Sequence, residues 1–205
     1  MTNNNSGKES MIRDLFSTSG LARTQIPLLD GDEYIYSASH SVLLEGADFD
    51  LVYTPLKHLG YKAILNVTGA LFARGFTPQS LSVKLSLSSR FRFTQIEEIW
   101  SGVVSAFREL NMEHLDLDLT PSVTGLTISL SSLGKQKRGL FVQKPECKSS
   151  DLLCISGSLG ASYMGLQILE REKLIFEKDS VQPDLEKYKF VLRSYLNPFI
   201  DKTLF

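Results

Sequence analysis

The sequence predicts an α+β fold: a mixed or antiparallel sheet with helices packed on one face. Three observations lead there. Short segments alternate strictly between apolar and polar residues, most cleanly Leu81, Val83, Leu85 and Leu87 against Ser82, Lys84, Ser86 and Ser88. Between such segments lie stretches whose apolar residues recur at helical spacing. Their order reads α-β-α-β-α-β-β-β-α-α with no internal repeat, so strands neither alternate regularly with helices nor run uninterrupted.

Residues 1–9 are polar and predict a disordered start, followed by a domain over 10–178 and a helical tail over 179–205. Met11, Ile12, Leu15 and Phe16 share one face of a short helix that ends near Gly20. Asp30-Gly31-Asp32 signals a turn into a strand. In "TPLKHLGYKAILNVTGALFARG", Thr54 is expected as N-cap, Pro55 as first helical residue and Gly75 just beyond the end. Thr94, with Glu97 three residues on, predicts a capping box for a helix bearing Ile96, Ile99, Trp100, Val103, Val104 and Phe107. "HLDLDL" and "TGLTISLSSLG" alternate as two further strands, and "GKQKRG" at 134–139 reads as a basic loop. "DLLCISG" is expected as the last strand, leading into the helix of "SLGASYMGLQILEREK". "FEKDSVQPD" is linker-like, and the tail helix breaks at Asn197-Pro198.

At 205 residues, with 42% hydrophobic and 22% charged side chains, the chain can bury a proper core. A formal net charge of −1 provides no field for nucleic acid or an anionic membrane, so neither is expected as a partner. There is no long apolar run and no basic-then-apolar start, which predicts a cytoplasmic protein. Cys147 and Cys154 have no further thiolate or paired His at ligand spacing and are expected to be reduced and structural. His40, among Ser37, Ser39 and Ser41, is expected to make a structural hydrogen bond. His58 is placed on a helix surface and His114 at the head of a strand.

Several segments together resemble the N-terminal domain of bacterial thiamine-monophosphate kinase, in the superfamily of aminoimidazole ribonucleotide synthetase. "LLEGADFD" (43–50) matches that family's L-x-E-G-V-H-F, and "LGYKAILNVTGALFARG" (59–75) its G-Y-K-A-x-x-x-N-x-S-D-x-x-A-M-G. "FTPQSLSVKLSLS" follows as the family's next strand, and "DLLCISGSLGASYMGLQILEREK" (151–173) matches D-L-I-x-V-S-G-x-L-G-x-A-x-x-G-L. The resemblance implies a sheet-mediated dimer and a second domain that completes the nucleotide site. The chain stops about where that domain would begin, so a single-domain relative is expected.

The activity implied is transfer of the terminal phosphoryl group of ATP to thiamine phosphate. Such chemistry needs Mg²⁺ to bridge and neutralise its charges, held by carboxylates. Carrying the motifs over residue by residue puts the family's acidic positions at Arg23, Thr24, Ser41, Gly69 and Asp118, so one carboxylate of five remains. The family's His in V-H-F is Asp48, and its glycines before the last Asp are Asp116 and Leu117. A fixed cation repels another at 4 Å by about 4 kcal/mol at an effective dielectric near 20, so Arg23 opposes Mg²⁺. The expectation is therefore a protein that has lost catalysis and serves as a dimeric scaffold or regulatory partner, with no cofactor. It would form a homodimer, or a heterodimer with an intact paralogue.

Two alternatives stand beside it. One is an ATP- and Mg²⁺-dependent phosphotransferase whose metal site is rebuilt from Asp118, Asp116, Asp48 and Glu45, the missing half coming from another chain. The other is a metal-free binder of a phosphorylated small molecule, using Arg23 and the Gly157–Gly160 turn at a helix start.

Overall fold

The computed structural model describes residues 5–22, 28–141, 147–180 and 182–201. Helix α1 (Asn5–Ser19) leads to β1 (Leu28–Asp30) and β2 (Tyr34–Leu44), then α2 (Leu56–Phe72), β3 (Thr77–Leu87) and α3 (Phe93–Glu109). Strands β4 (His114–Pro121) and β5 (Thr127–Lys137) follow, and α4 (Ala161–Asp179) and α5 (Lys189–Leu196) close the described chain. The sheet order is β1-β2-β5-β3-β4. All neighbours are antiparallel except β3 and β4, which run parallel because α3 carries the chain back between them. The sheet is thus mixed, and the fold α+β.

Alternation sets the two faces. Leu81, Val83 and Leu85 of β3 stand beside Ile128 and Leu130 of β5 on the covered face, all of them 2% exposed or less. Burying each side chain of this size contributes about 1.5–3 kcal/mol. Helix α2 lies on that face and brings Leu59, Ala63, Ile64 and Val67, while α3 adds Ile99, Val103 and Ala106. The two helices come unusually close at glycines. A Cβ on Gly102 would lie 1.9 Å from the Lys57 carbonyl oxygen, and one on Gly60 2.1 Å from that of Ile99. Helices α4 and α5 form a second unit around Ile168, Leu169, Leu192 and Tyr195, against which Tyr53 packs.

Several local expectations are corrected. Residues 5–9, expected to be disordered, are the first turns of α1. Thr54 does not cap α2: Pro55 is the N-cap, and the buried Thr54 hydroxyl has no partner among the described residues. The capping box of α3 belongs to Arg92 and Gln95 rather than Thr94 and Glu97, one residue pair earlier, because the chain enters the helix at Phe93. Most of the basic loop is strand: Gly134–Lys137 continue β5 against β2, which gives their backbone groups ladder partners. "DLLCISG" forms no strand, since β4 is the sheet's edge and no ladder reaches 151–157. Leu152 and Leu153 are left 89% and 92% exposed.

Candidate functional site

The sheet divides the predicted site residues. Asp116 and Asp118 alternate with Leu115 and Leu117 on β4 and therefore point together to the uncovered face. Register places Asp116 beside Ser82, Ser131 and His40 in one row across four strands. In that row Ser82 Oγ donates to Asp116 Oδ2 at 3.2 Å, and His40 Nδ1 pairs with Ser131 Oγ at 2.9 Å, the structural bond expected of His40. In the next row Lys84 Nζ lies 2.7 Å from Asp118 Oδ2. That hydrogen bond and the lysine charge hold the Asp118 carboxyl below its ordinary value.

The other carboxylate positions lie elsewhere. Ser41 is on the covered side of β2, where its Oγ donates to Asn66 Oδ1 of α2 at 2.7 Å. Gly69 is one turn further along α2, and the space where its side chain would be is open. Arg23 and Thr24 lie outside the described residues. Glu45 and Asp48 are committed to bracing the end of β2. Glu45 pairs with Arg90 and accepts the Leu126 N–H at 2.8 Å, and Asp48 accepts the Leu44 N–H at 2.8 Å. Among the described residues no three His, Cys, Asp or Glu side chains converge as metal ligands. Asp118 is thus engaged by Lys84 and its neighbour Asp116 by Ser82, while Glu45 and Asp48 stand at the end of β2 with partners of their own.

Gly157 and Gly160 adopt φ of +77° and +85°, and Gly160 is the N-cap of α4. They form the strand-free turn ahead of the helix, with open space around both. Cys147 and Cys154 are free and exposed, so neither packs in a core. His58 is half-buried rather than a surface residue, and its buried Nδ1 has no hydrogen-bond partner among the described residues. No described helix is long and apolar enough to cross a membrane.

Three cations escaped the sequence reading. Lys84 is one; its role depends on strand pairing, which alternation alone does not reveal. Lys62 and Arg74 are the others, on the α2 flank that also carries Asn66. Arg74 donates to the Ala70 carbonyl at 2.7 Å, Ser37 Oγ at 3.1 Å and the Ala38 carbonyl at 3.3 Å, tying the end of α2 to β2. The Lys62 ammonium sits 3.4 Å above the Tyr195 ring. Burial, with no carboxylate among the described residues to offset it, lowers the Lys62 pKa to about 8. The i, i+4 spacing of Lys62 and Asn66 was a legible signal. Nearby, Tyr53 donates to Glu170 and Lys173 lies 2.5 Å from Asp50, joining the loop after β2 to α4.

This geometry can be set beside known proteins. No family model matches the chain. The architecture is that of solved thiamine-monophosphate kinases. The Aquifex aeolicus structure superposes on 92% of this chain and 60% of its own with a TM-score of 0.75 at 22% identity. That from Stenotrophomonas maltophilia covers 94% and 62% with a TM-score of 0.71, also at 22% identity. By sequence the chain is a divergent relative of the thiamine-monophosphate kinases. It is 24% identical to the Bacillus subtilis enzyme over 149 residues, 69% of this chain and 46% of that protein. It is 29% identical to the Aquifex aeolicus enzyme over 136 residues, 66% of this chain and 43% of that one. The chain thus spans about half the length of the curated relatives it matches.

Proposed function

We propose that this relative of thiamine-monophosphate kinase has lost metal-dependent phosphoryl transfer and acts as a scaffold or regulatory partner through its uncovered sheet face. The observation that carries the reading is the Lys84–Asp118 ion pair. The one carboxylate matching the resemblance is engaged by Lys84, and Ser41 hydrogen-bonds Asn66 where the resemblance places an acid. The uncovered face offers a partner Val42 and Leu44, 55% and 46% exposed, among Ser and Thr side chains. The partner is a second copy or an intact paralogue in a cytoplasmic setting, and the near-neutral charge speaks against nucleic acid or an anionic membrane as partner.

The test is incubation of purified protein with Mg²⁺–ATP and thiamine phosphate, alongside calorimetric titration with Mg²⁺–ATP. No thiamine diphosphate and no saturable heat are expected. Turnover that Asp118→Asn abolishes would instead establish the phosphotransferase.

A second reading, a metal-free binder of a phosphorylated small molecule, is favoured by Lys62. Among the described residues its ammonium has no carboxylate partner, and it stands over the Tyr195 ring on the α2 flank that carries Asn66. Thermal shift with thiamine phosphates distinguishes it, since a ligand at 100 times its Kd stabilises by about 2.7 kcal/mol.

A further inference from the structure

Ahead of α4 runs a stretch of chain that the fold holds only at one point. Every residue from 147 to 160 is exposed. Among the described residues, 152–157 form no backbone hydrogen bond. The point of order is a turn. The Asp151 N–H donates to the Lys148 carbonyl at 3.0 Å, and the Lys148 N–H donates to Asp151 Oδ2 at 2.8 Å. This pair of bonds closes a β-turn over 148–151, and such a turn reverses the chain.

The turn stands between the two cysteines of the sequence. Cys147 immediately precedes it and Cys154 follows it, and both thiols are free and exposed. A chain reversed at 148–151 sends two arms back side by side, with Cys147 on one and Cys154 on the other. In an extended arm side-chain direction repeats every second residue, so Cys154 shares the side of Leu152, the residue across the turn from Cys147. Among the described residues nothing ties 152–157 elsewhere, so this arm can close on Cys147 without breaking a backbone bond. A disulfide needs Cα atoms about 4.4–6.8 Å apart. Loops of about ten residues close in ~10–100 ns, far faster than thiols exchange, so contact between the sulfurs is sampled well before chemistry occurs.

We propose that Cys147 and Cys154 form a reversible disulfide, a redox-sensitive clasp on the run that enters α4. Its oxidant is a small disulfide of the glutathione type. One cysteine thiolate attacks that disulfide, forming a mixed disulfide and expelling one glutathione. The second cysteine then attacks the protein sulfur of the mixed disulfide and expels the other glutathione. Two electrons pass from the cysteine pair to the oxidant, and the two thiol protons end on the two released glutathione thiols. In a reducing compartment such a bond is transient and follows the thiol poise. Closure takes the exposed Leu152 and Leu153 into the ring of residues 147–154, ahead of the Gly160 cap. The clasp uses none of the residues discussed for phosphoryl transfer or for the sheet face and stands or falls independently of them.

The purified full chain is titrated with glutathione disulfide against reduced glutathione, free thiols are blocked by alkylation, and the product is digested with trypsin. Cleavage after Lys148 puts the two cysteines on different peptides. The expected product is that peptide pair joined by a disulfide, from protein that runs as a single chain on a denaturing gel without reductant. Cys147→Ser and Cys154→Ser should each keep a stable glutathione adduct that the parent does not accumulate. Asp151→Ala, which removes the side-chain acceptor of the turn, should slow ring closure roughly two- to ten-fold. Persistent glutathione on both cysteines of the parent, disulfide-linked dimers in place of the ring, or a closure rate that Asp151→Ala leaves unchanged overturns the proposal.

Discussion

Lys62 shows how a single residue carries a cost that its neighbours do not remove. Its ammonium is half-withdrawn from water, and the Tyr195 ring offers only a cation–π contact in return. Because the folded pKa lies near 8 and the unfolded one at 10.5, folding is opposed by the full penalty below pH 8. The unfolded chain binds the extra proton between those values, so this contribution to stability improves as pH rises from about 8 to 10.5. Lys62→Met should therefore stabilise the protein by about 1 kcal/mol at pH 7, discounted for the amine's partial exposure, and the gain should shrink by pH 9.5. Urea denaturation of both proteins at the two pH values checks this; an unchanged or less stable variant at pH 7 contradicts it. Asp118 behaves oppositely: the hydrogen bond and charge of Lys84 lower its pKa and favour the charged form.

Elements meet here through backbone proximity as much as through apolar stripes. Helices α2 and α3 approach until Gly102 faces the Lys57 carbonyl, and α4 meets α5 with a Gly165 Cβ position 2.2 Å from the Val191 carbonyl oxygen. Adding a methyl group at either place has to separate two helices, which typically costs about 1–3 kcal/mol and sometimes more. Gly102→Ala should fall at the upper end, since the atom it meets is rigid backbone inside the main core, and should lower Tm by ~4–8 °C or more. A calorimetric melt within a degree or two of the parent would sink this account of the interface. The "GYKA" segment was legible as a helix, but that its glycine exists for helix contact was not. A missing side chain leaves no periodic signal. The same limit explains "DLLCISG": its composition is that of a strand, yet a strand needs a neighbour's backbone, and none lies within reach.

At the scale of the molecule, the sheet has one face covered by helices and one left open across four strands. The rows Asp116–Ser82–Ser131–His40 and Asp118–Lys84–Ser129–Val42 run across it. Association through this face predicts that Val42→Arg, which adds bulk and charge at an exposed position, leaves the monomer folded and abolishes the dimer. Light scattering on both proteins decides: a parent that is monomeric throughout the micromolar range, or a variant that dimerises equally well, removes the sheet-mediated assembly.

The sequence by itself determined the α+β class, the length and phase of β3 and the three long helices, and the likeness to thiamine-monophosphate kinases. These are local or linear properties, written in period and motif. The expectation that Ser41 and Gly69 stand where the resemblance places acids came equally from linear motifs. Tertiary structure alone decided that Asp118 is neutralised by Lys84, that Ser41 and Asp118 lie on opposite faces of the sheet, and that Glu45 and Asp48 brace a loop. The physical reason is range. Strand register and helix docking bring together residues tens of positions apart, and electrostatic partners are defined by that proximity rather than by any spacing along the chain.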